Sequence, residues 1–105
     1  MDELFLLLVE AEHHADTVLA RCTDPKTRRH AEEVRMMAED LRKRAFGDNP
    51  PTSEIVAAGL QGLGDFIEDA ATRCEDPYFD SILRFSCESV RDFAQLLTSG
   101  RIVVA

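Results

Sequence analysis

Long hydrophobic runs are missing from this sequence of 105 residues. The longest uninterrupted apolar run covers the six residues 4–9, which is far too short to span a bilayer. A basic N-terminal region is missing as well, since Asp2 and Glu3 stand where a secretory signal would carry positive charge. These absences predict a cytoplasmic protein that does not bind a membrane.

Cysteine is scarce, and Cys22, Cys74 and Cys87 are the only three. An odd number in a chain without a secretion signal predicts reduced thiols rather than a disulfide framework. The sequence has no Cys-x-x-Cys pair and no Cys/His spacing typical of zinc sites. We therefore predict no cofactor.

An excess of basic residues is also lacking, because 20 acidic side chains stand against 12 Lys and Arg and give a formal net charge of −8. Contact with phosphates needs a basic surface, so this balance argues against nucleic-acid binding. The charge is uneven, since the stretch 26–44 holds seven basic residues and four acids.

The sequence repeats itself at an offset of 52 residues. Residues 21–25 match residues 73–77 at four of five positions, and each stretch ends in Asp-Pro. Asp at the N-cap and Pro at the first helical position are common start signals for a helix. The match predicts two tandem helical hairpins related by duplication.

Apolar residues recur at alternating spacings of three and four in four segments, which is the pattern of helices packed side by side. We call this row the seam and count its members as heptad positions a and d. The seam consists of Leu4, Leu8, Ala11, Ala15, Val18 and Cys22; then Thr27, Ala31, Val34, Ala38, Leu41 and Ala45; then Val56, Leu60, Leu63, Ile67, Ala70 and Cys74; and finally Phe79, Leu83, Ser86, Val90, Phe93 and Leu97.

Proline and glycine divide the single domain 1–105 into two hairpins. Hairpin 1 covers residues 2–47 and hairpin 2 covers residues 53–100. The connection 48–52 contains two consecutive prolines and cannot continue a helix, and an apolar tail, 101–105, follows hairpin 2. Four helices of about 20 residues joined by short loops predict an all-α, antiparallel up-down-up-down four-helix bundle.

Residues beside the seam predict which helices are neighbours. Positions that precede an a residue form the g flank, and positions that follow a d residue form the e flank. If g flanks meet inside each hairpin, His14 lies beside His30, and the other repeat places Phe66 beside Ile82. Two facing imidazoles predict a candidate single-metal site or a pH-sensitive pair, and the alternative is two half-buried histidines that only pack.

The e flank of the second predicted helix carries Arg28, Arg35 and Arg42, one arginine every seven residues. In the same arrangement this row faces the small residues of the third helix, which are Ala57, Gly64 and Ala71. In one account the arginine stems cover these residues while the guanidiniums pair with acids such as Glu68 and Glu75. In the other, the surface is a groove that binds an anion or an acidic partner.

The first predicted helix is apolar around most of its first two turns. Phe5, Leu6 and Val9 lie at or beyond the edge of the seam. A helix that is apolar on every side needs cover on more than one side. We expect either the tail 101–105 or a second copy of the chain to bury this patch.

No motif in the sequence indicates catalysis, because neither a Ser/His/Asp arrangement nor a glycine-rich phosphate loop can be identified. We therefore predict a non-enzymatic helical module for protein–protein interaction, an adaptor or regulator that forms a homodimer. The alternative is a bundle that binds a small ligand or a single metal through His14/His30 or through the arginine groove. A third alternative, an acidic mimic of nucleic acid, is weakened by the basic stretch of the second helix.

Overall fold

Four α-helices make up most of the computed structural model, which describes residues 2–101 apart from the side chain of Asp2. They are α1 (Asp2–Arg21), α2 (Pro25–Ala45), α3 (Ser53–Arg73) and α4 (Pro77–Thr98). No strand occurs among the residues described. The predicted all-α, four-helix fold is therefore confirmed. Within residues 2–101, no helix combines the length and apolar composition that crossing a bilayer requires.

Side-chain caps begin three of the helices where the sequence predicts them. The Asp24 carboxylate accepts hydrogen bonds from the backbone N–H of Thr27 at 3.1 Å and from its hydroxyl at 2.7 Å, and these bonds hold the pKa of Asp24 below its ordinary value. Asp76 accepts from the N–H of Tyr78 at 2.9 Å, and Thr52 caps α3 in the same way. Such bonds satisfy donors that have no partner inside a helix.

The carbonyl groups at the ends of α1 and α4 accept hydrogen bonds from different kinds of donor. Arg28 of α2 donates from Nη1 to the carbonyl of Leu19 and, at 3.1 Å, to that of Cys22. At the end of α4, Gly100 has a φ of +77°, and its N–H and that of Arg101 bond to carbonyls of the last turn. Glycine is favoured there because a left-handed residue with a side chain is strained.

The predicted seam is the core of the bundle. Every seam position is buried except Cys74 and Phe93, which are half-buried. Within residues 2–101, further burial occurs only on the e flanks of α3 and α4. These additional buried residues are Ala57, Gly64, Ala71, Cys87 and Ala94. Hairpin 2 therefore buries a wider face between its helices than hairpin 1 does.

The helices are packed in a ring. α1 packs mainly on α2 and α3 mainly on α4, whereas narrower contacts join α2 to α3 and α1 to α4. Between the described parts of α1 and α3, and of α2 and α4, no two Cα atoms lie within 8 Å of each other, which is the contact pattern of a four-helix bundle. Contacts between α1 and α2 join Glu12 to Arg42 and Asp16 to Arg35, in opposite order along the two helices. The up-down-up-down arrangement of all four helices and the origin by duplication stay predictions.

Candidate functional site

The arginine row of α2 lies against α1. Arg42 donates from Nε and Nη2 to the two carboxylate oxygens of Glu12, at 2.7 and 3.2 Å. Arg35 Nε lies 2.9 Å from Oδ1 of Asp16, and Arg28 caps the end of α1. All three guanidiniums therefore serve the α1/α2 interface, and the prediction that this row faces α3 is wrong.

The small residues of α3 are buried, and Gly64 at their centre faces α4. The Gly64 carbonyl accepts a hydrogen bond from Sγ of Cys87 at 3.3 Å, and a Cβ on Gly64 would lie 3.0 Å from Cγ of Arg91. Arg91 pairs with Asp65 and with Glu68, an acid predicted to pair with the arginine row. The predicted groove is not assembled, because its arginines and its small residues lie in different helix interfaces.

The hand of the bundle explains why the arginine row meets α1 instead of α3 and why the small residues of α3 meet α4 instead of α2. Four helices with the same seam can follow one another clockwise or anticlockwise, and the two orders exchange the roles of the e and g flanks. In this structure the e flanks meet inside each hairpin, at Glu12–Arg42 and at Gly64–Cys87. The g flank faces the other hairpin, since Gly59 on α3 lies against α2.

His14 packs against α4 and not against His30. Its ring meets that of Phe85 edge-to-face, with 5.8 Å between centroids and an interplanar angle of 82°. Nδ1 of His14 is buried and has no hydrogen-bond partner among the described residues. Burial lowers the pKa of His14, the nearby Glu10 carboxylate opposes this shift, and His13 adds to it.

His30 lies on the flank of α2 opposite to the one that meets α1. Its Nδ1 is 3.8 Å from Oε2 of Glu33, which lies one turn further along the same helix. The predicted pairing of His14 with His30 is therefore wrong. In the part of the chain that the structure describes, no group of three or more histidine, cysteine or acidic side chains is placed to hold a metal ion.

The cysteines are free thiols in packed surroundings. Cys22 and Cys87 are buried, whereas Cys74 is half-buried and donates to the carbonyl of Asp76 at 3.6 Å. Burial raises the pKa of the Cys87 thiol. The nearby Arg91 guanidinium opposes this shift, whereas the acids Glu68, Asp65 and Glu88 add to it. A thiol with a raised pKa stays protonated at neutral pH, so Cys87 has the surroundings of a packing residue and not of a nucleophile.

The clearest candidate binding surface lies at the start of α1. Phe5, Leu6 and Val9 are exposed. Of the tail 101–105 that was expected to cover them, residues 102–105 lie outside the described part of the chain. Sequence reasoning missed a fourth member, since the exposed ring of Phe46 meets that of Phe5 edge-to-face at 5.5 Å between centroids. We call these four residues the α1 patch.

No protein-family model, no curated protein and no solved structure matches this chain. A four-helix bundle hosts many unrelated functions, so the fold alone does not give one.

Proposed function

We propose that this chain is a non-enzymatic protein-interaction module, an adaptor or regulator, that self-associates through the α1 patch. One observation carries the proposal: four large apolar side chains lie together at the surface, outside the seam that fills the core. Single exposed hydrophobic residues are common on monomeric proteins, whereas contiguous apolar groups mark interaction sites.

The α1 patch has the composition of an interface centre. Phe5 and Phe46 already form an edge-to-face pair, which presents two aromatic rings as one unit. One turn before Phe46, Arg42 is joined to Glu12 by two hydrogen bonds, so a partner that covers this pair buries two charges that neutralise each other. Removing apolar surface from water contributes roughly 25 cal/mol per Å², which favours burial of the patch.

A second copy of the chain fits the α1 patch. A two-fold contact brings the same surface of both copies together, so each patch meets one of equal size and apolar character. The three basic residues in the last turn of α2 already pair with acids of the same chain, so apolar contact and not charge supports this partner.

The surroundings of the ionisable groups support binding rather than catalysis. His14 faces the ring of Phe85, and Cys87 faces the carbonyl of Gly64. Catalytic sites instead pair a nucleophile with a base and orient that base with a third group. Neither the His14 ring nor the Cys87 thiol has such a partner, so both side chains are placed for packing.

The residues on which the small-ligand or single-metal alternative depends do not form an open site together. Arg28, Arg35 and Arg42 are engaged by α1, so they do not line an open groove. His14 and His30 lie in different parts of the bundle. We therefore propose no second function.

Two matched substitutions test the α1 patch. The side chains of Leu6 and Met36 are similarly exposed, at 58% and 60%, but only Leu6 belongs to the patch. Leu6→Gln should lower the average mass of the chain in sedimentation velocity experiments, because a polar amide then occupies the apolar contact. Met36→Gln should sediment as the unmodified chain does. Equal behaviour of the two variants would contradict the proposal.

A further inference from the structure

The contacts between the two hairpins differ from those that hold each hairpin together. Every ion pair among the described residues joins two side chains of the same hairpin, as Glu12 and Arg42 do in hairpin 1. Packing between the helices of one hairpin is also broader than packing between helices of different hairpins. Each hairpin is therefore a packed unit of its own, and the boundary between the two units is narrower.

The boundary between the hairpins is mostly apolar. Where α1 meets α4, Nη1 of Arg21 donates to the hydroxyl of Tyr78 at 3.3 Å. Further along the same two helices, the His14 ring packs on that of Phe85. The rest of the boundary consists of the buried seam, whose attraction has no preferred direction. A hairpin of another copy offers the same seam and the same two contacts.

The connection 48–52 determines how easily the two hairpins of one chain close on each other. The chain folds back here, because Cδ1 of Leu41 lies only 2.9 Å from where a Cβ on Gly59 would be. No hydrogen bond in the described chain ties residues 48–51 to either hairpin. The two consecutive prolines have a fixed φ, and each restricts the residue before it to extended conformations. The connection is therefore stiff, and it resists the path that the closed chain needs.

Stiffness of the connection lowers the advantage of the closed chain. Closing one chain on itself has an effective concentration that is about millimolar for a short flexible linker and lower for a linker that resists the required path. Exchange of hairpins between two copies keeps every contact between hairpins that the closed chain makes. Exchange therefore competes with closing once the concentration of chains approaches this effective concentration.

We propose that two copies of this chain exchange hairpins, so that hairpin 1 of each copy packs on hairpin 2 of the other. The surfaces are complementary because they are the ones that already meet in the closed chain. The inference rests on the proposed function only in that the partner is again a second copy. It uses the seam and the connection, and it leaves the α1 patch of each copy exposed.

New cysteines at two positions that meet across the boundary test the exchange. Leu41→Cys and Gly59→Cys are prepared as separate chains in which Cys22, Cys74 and Cys87 are replaced by alanine. In the closed chains neither new thiol has a partner, whereas exchange sets position 41 of one copy beside position 59 of the other. After long incubation of the mixture and mild oxidation, a non-reducing gel should show a cross-linked dimer.

A mixture of Leu41→Cys with Gly62→Cys is the matched control. A Cβ on Gly62 would meet no atom within 4 Å, so exchange places no thiol beside it. Disulfides form only between thiols whose backbones are close, so the first mixture should give severalfold more cross-linked dimer than the control. Equal yields of cross-linked dimer from the two mixtures would overturn the proposal.

The same mixtures in a Leu6→Gln background separate the exchange from the α1 patch. Exchange makes no use of Leu6, so the yield of cross-linked dimer should not change. A yield that disappears in this background would show that the copies meet through the α1 patch, and it would overturn the exchange. If the α1 patch is wrong instead, Leu6→Gln sediments as Met36→Gln does while the cross-linked dimer still forms.

Replacing the prolines of the connection gives a second test in chains that keep their own cysteines. Pro50→Ala with Pro51→Ala makes the connection flexible and favours closing, so association of the Leu6→Gln chain should weaken severalfold. Pro25→Ala with Pro77→Ala removes as many prolines from the starts of α2 and α4 and should leave association unchanged. Sedimentation velocity after long incubation measures both. Undiminished association of the first variant would contradict the exchange, as would a Leu6→Gln chain that stays monomeric at every concentration.

Discussion

The three glycines in the middle of α3 have different surroundings although each lowers helix propensity. Gly59 and Gly64 are where neighbouring side chains approach the helix, since Leu41 and Arg91 lie about 3 Å from where a Cβ would be. Gly62 faces open space. The same substitution at these positions should therefore have different consequences.

Gly62→Ala and Gly64→Ala should change the stability of the monomer in opposite directions. Gly62→Ala gains about 1 kcal/mol of helix propensity without a new contact. Gly64→Ala gains the same propensity but presses a methyl group on Arg91, whose guanidinium is held by Asp65 and Glu68. Urea titrations should give a higher free energy of unfolding for Gly62→Ala and a lower one for Gly64→Ala. Equal gains would show that Arg91 moves aside freely.

His14 makes the stability of the fold depend on pH. Burial holds its pKa below that of the unfolded chain, so the unfolded state binds a proton first as the pH falls. The folded state is therefore at a disadvantage that develops as the pH drops through the histidine range and is absent above it.

Removing the imidazole should flatten this pH dependence. We expect the free energy of unfolding of the unmodified chain to fall more steeply between about pH 7 and pH 5 than that of His14→Gln. His13→Gln is the control, because it removes an exposed imidazole and keeps the burial of His14, which is the largest cause of the shift. Parallel curves for the three would mean that His14 titrates as it does in the unfolded chain.

At the scale of the elements, the e flanks of the two hairpins carry different kinds of side chain. The e flanks of α1 and α2 meet through charged side chains, with Glu12–Arg42 as the best-aligned pair. Those of α3 and α4 meet through small residues such as Gly64 and Cys87, and this is the more extensively packed pair. Hairpin 1 is thus joined in part by ion pairs, and hairpin 2 by close approach.

The Glu12–Arg42 pair should couple more strongly than the Asp40–Arg44 pair. The Glu12 side chain is 17% exposed and that of Asp40 is 69% exposed, and solvent screens an exposed pair to a value of about 0–1 kcal/mol. Double-mutant cycles with Glu12→Gln/Arg42→Met and Asp40→Asn/Arg44→Met, measured by urea unfolding, compare the two pairs. Equal coupling free energies would show that the partly buried pair adds nothing to the α1/α2 interface.

The helices and the core could be predicted from the sequence because they depend on local chemistry. Asp-Pro starts, the connection with two prolines and the alternating spacing of apolar residues each act within one or two turns of chain. In the structure α2 begins at Pro25 and α4 begins at Pro77, and every seam position is buried or half-buried. Only Phe46, directly after α2, was missed as a member of the α1 patch.

The partners of each flank could not be predicted from the spacing, because both hands of the bundle bury the same seam. The charges on the flanks distinguish the two hands, whereas the spacing of apolar residues does not. Contact of e flanks inside hairpin 1 brings Glu12 to Arg42, whereas contact of g flanks would bring His14 to His30. Opposite charges that face each other favour the first arrangement, so comparing the charges on both flanks predicts the observed hand.

For the whole molecule, net charge opposes the proposed association. Each copy carries a formal charge of −8, so two copies repel each other at long range while their apolar surfaces attract at contact. Dissolved salt screens the repulsion over a distance of about 10 Å at 0.1 M and leaves burial of apolar surface largely intact.

Added salt should therefore strengthen self-association. We expect the dissociation constant measured by sedimentation velocity to fall as sodium chloride is raised from low to physiological concentration, with the fold unchanged by circular dichroism. An interface built mainly from ion pairs between copies would show the reverse, with weaker association at higher salt.

The mass of the unmodified chain in solution tests the central claim most directly. Sedimentation equilibrium over a range of micromolar concentrations gives the average mass without assumptions about shape. Self-association predicts a value above the 11.8 kDa of one chain that rises with concentration. A single species of 11.8 kDa at every concentration would contradict it.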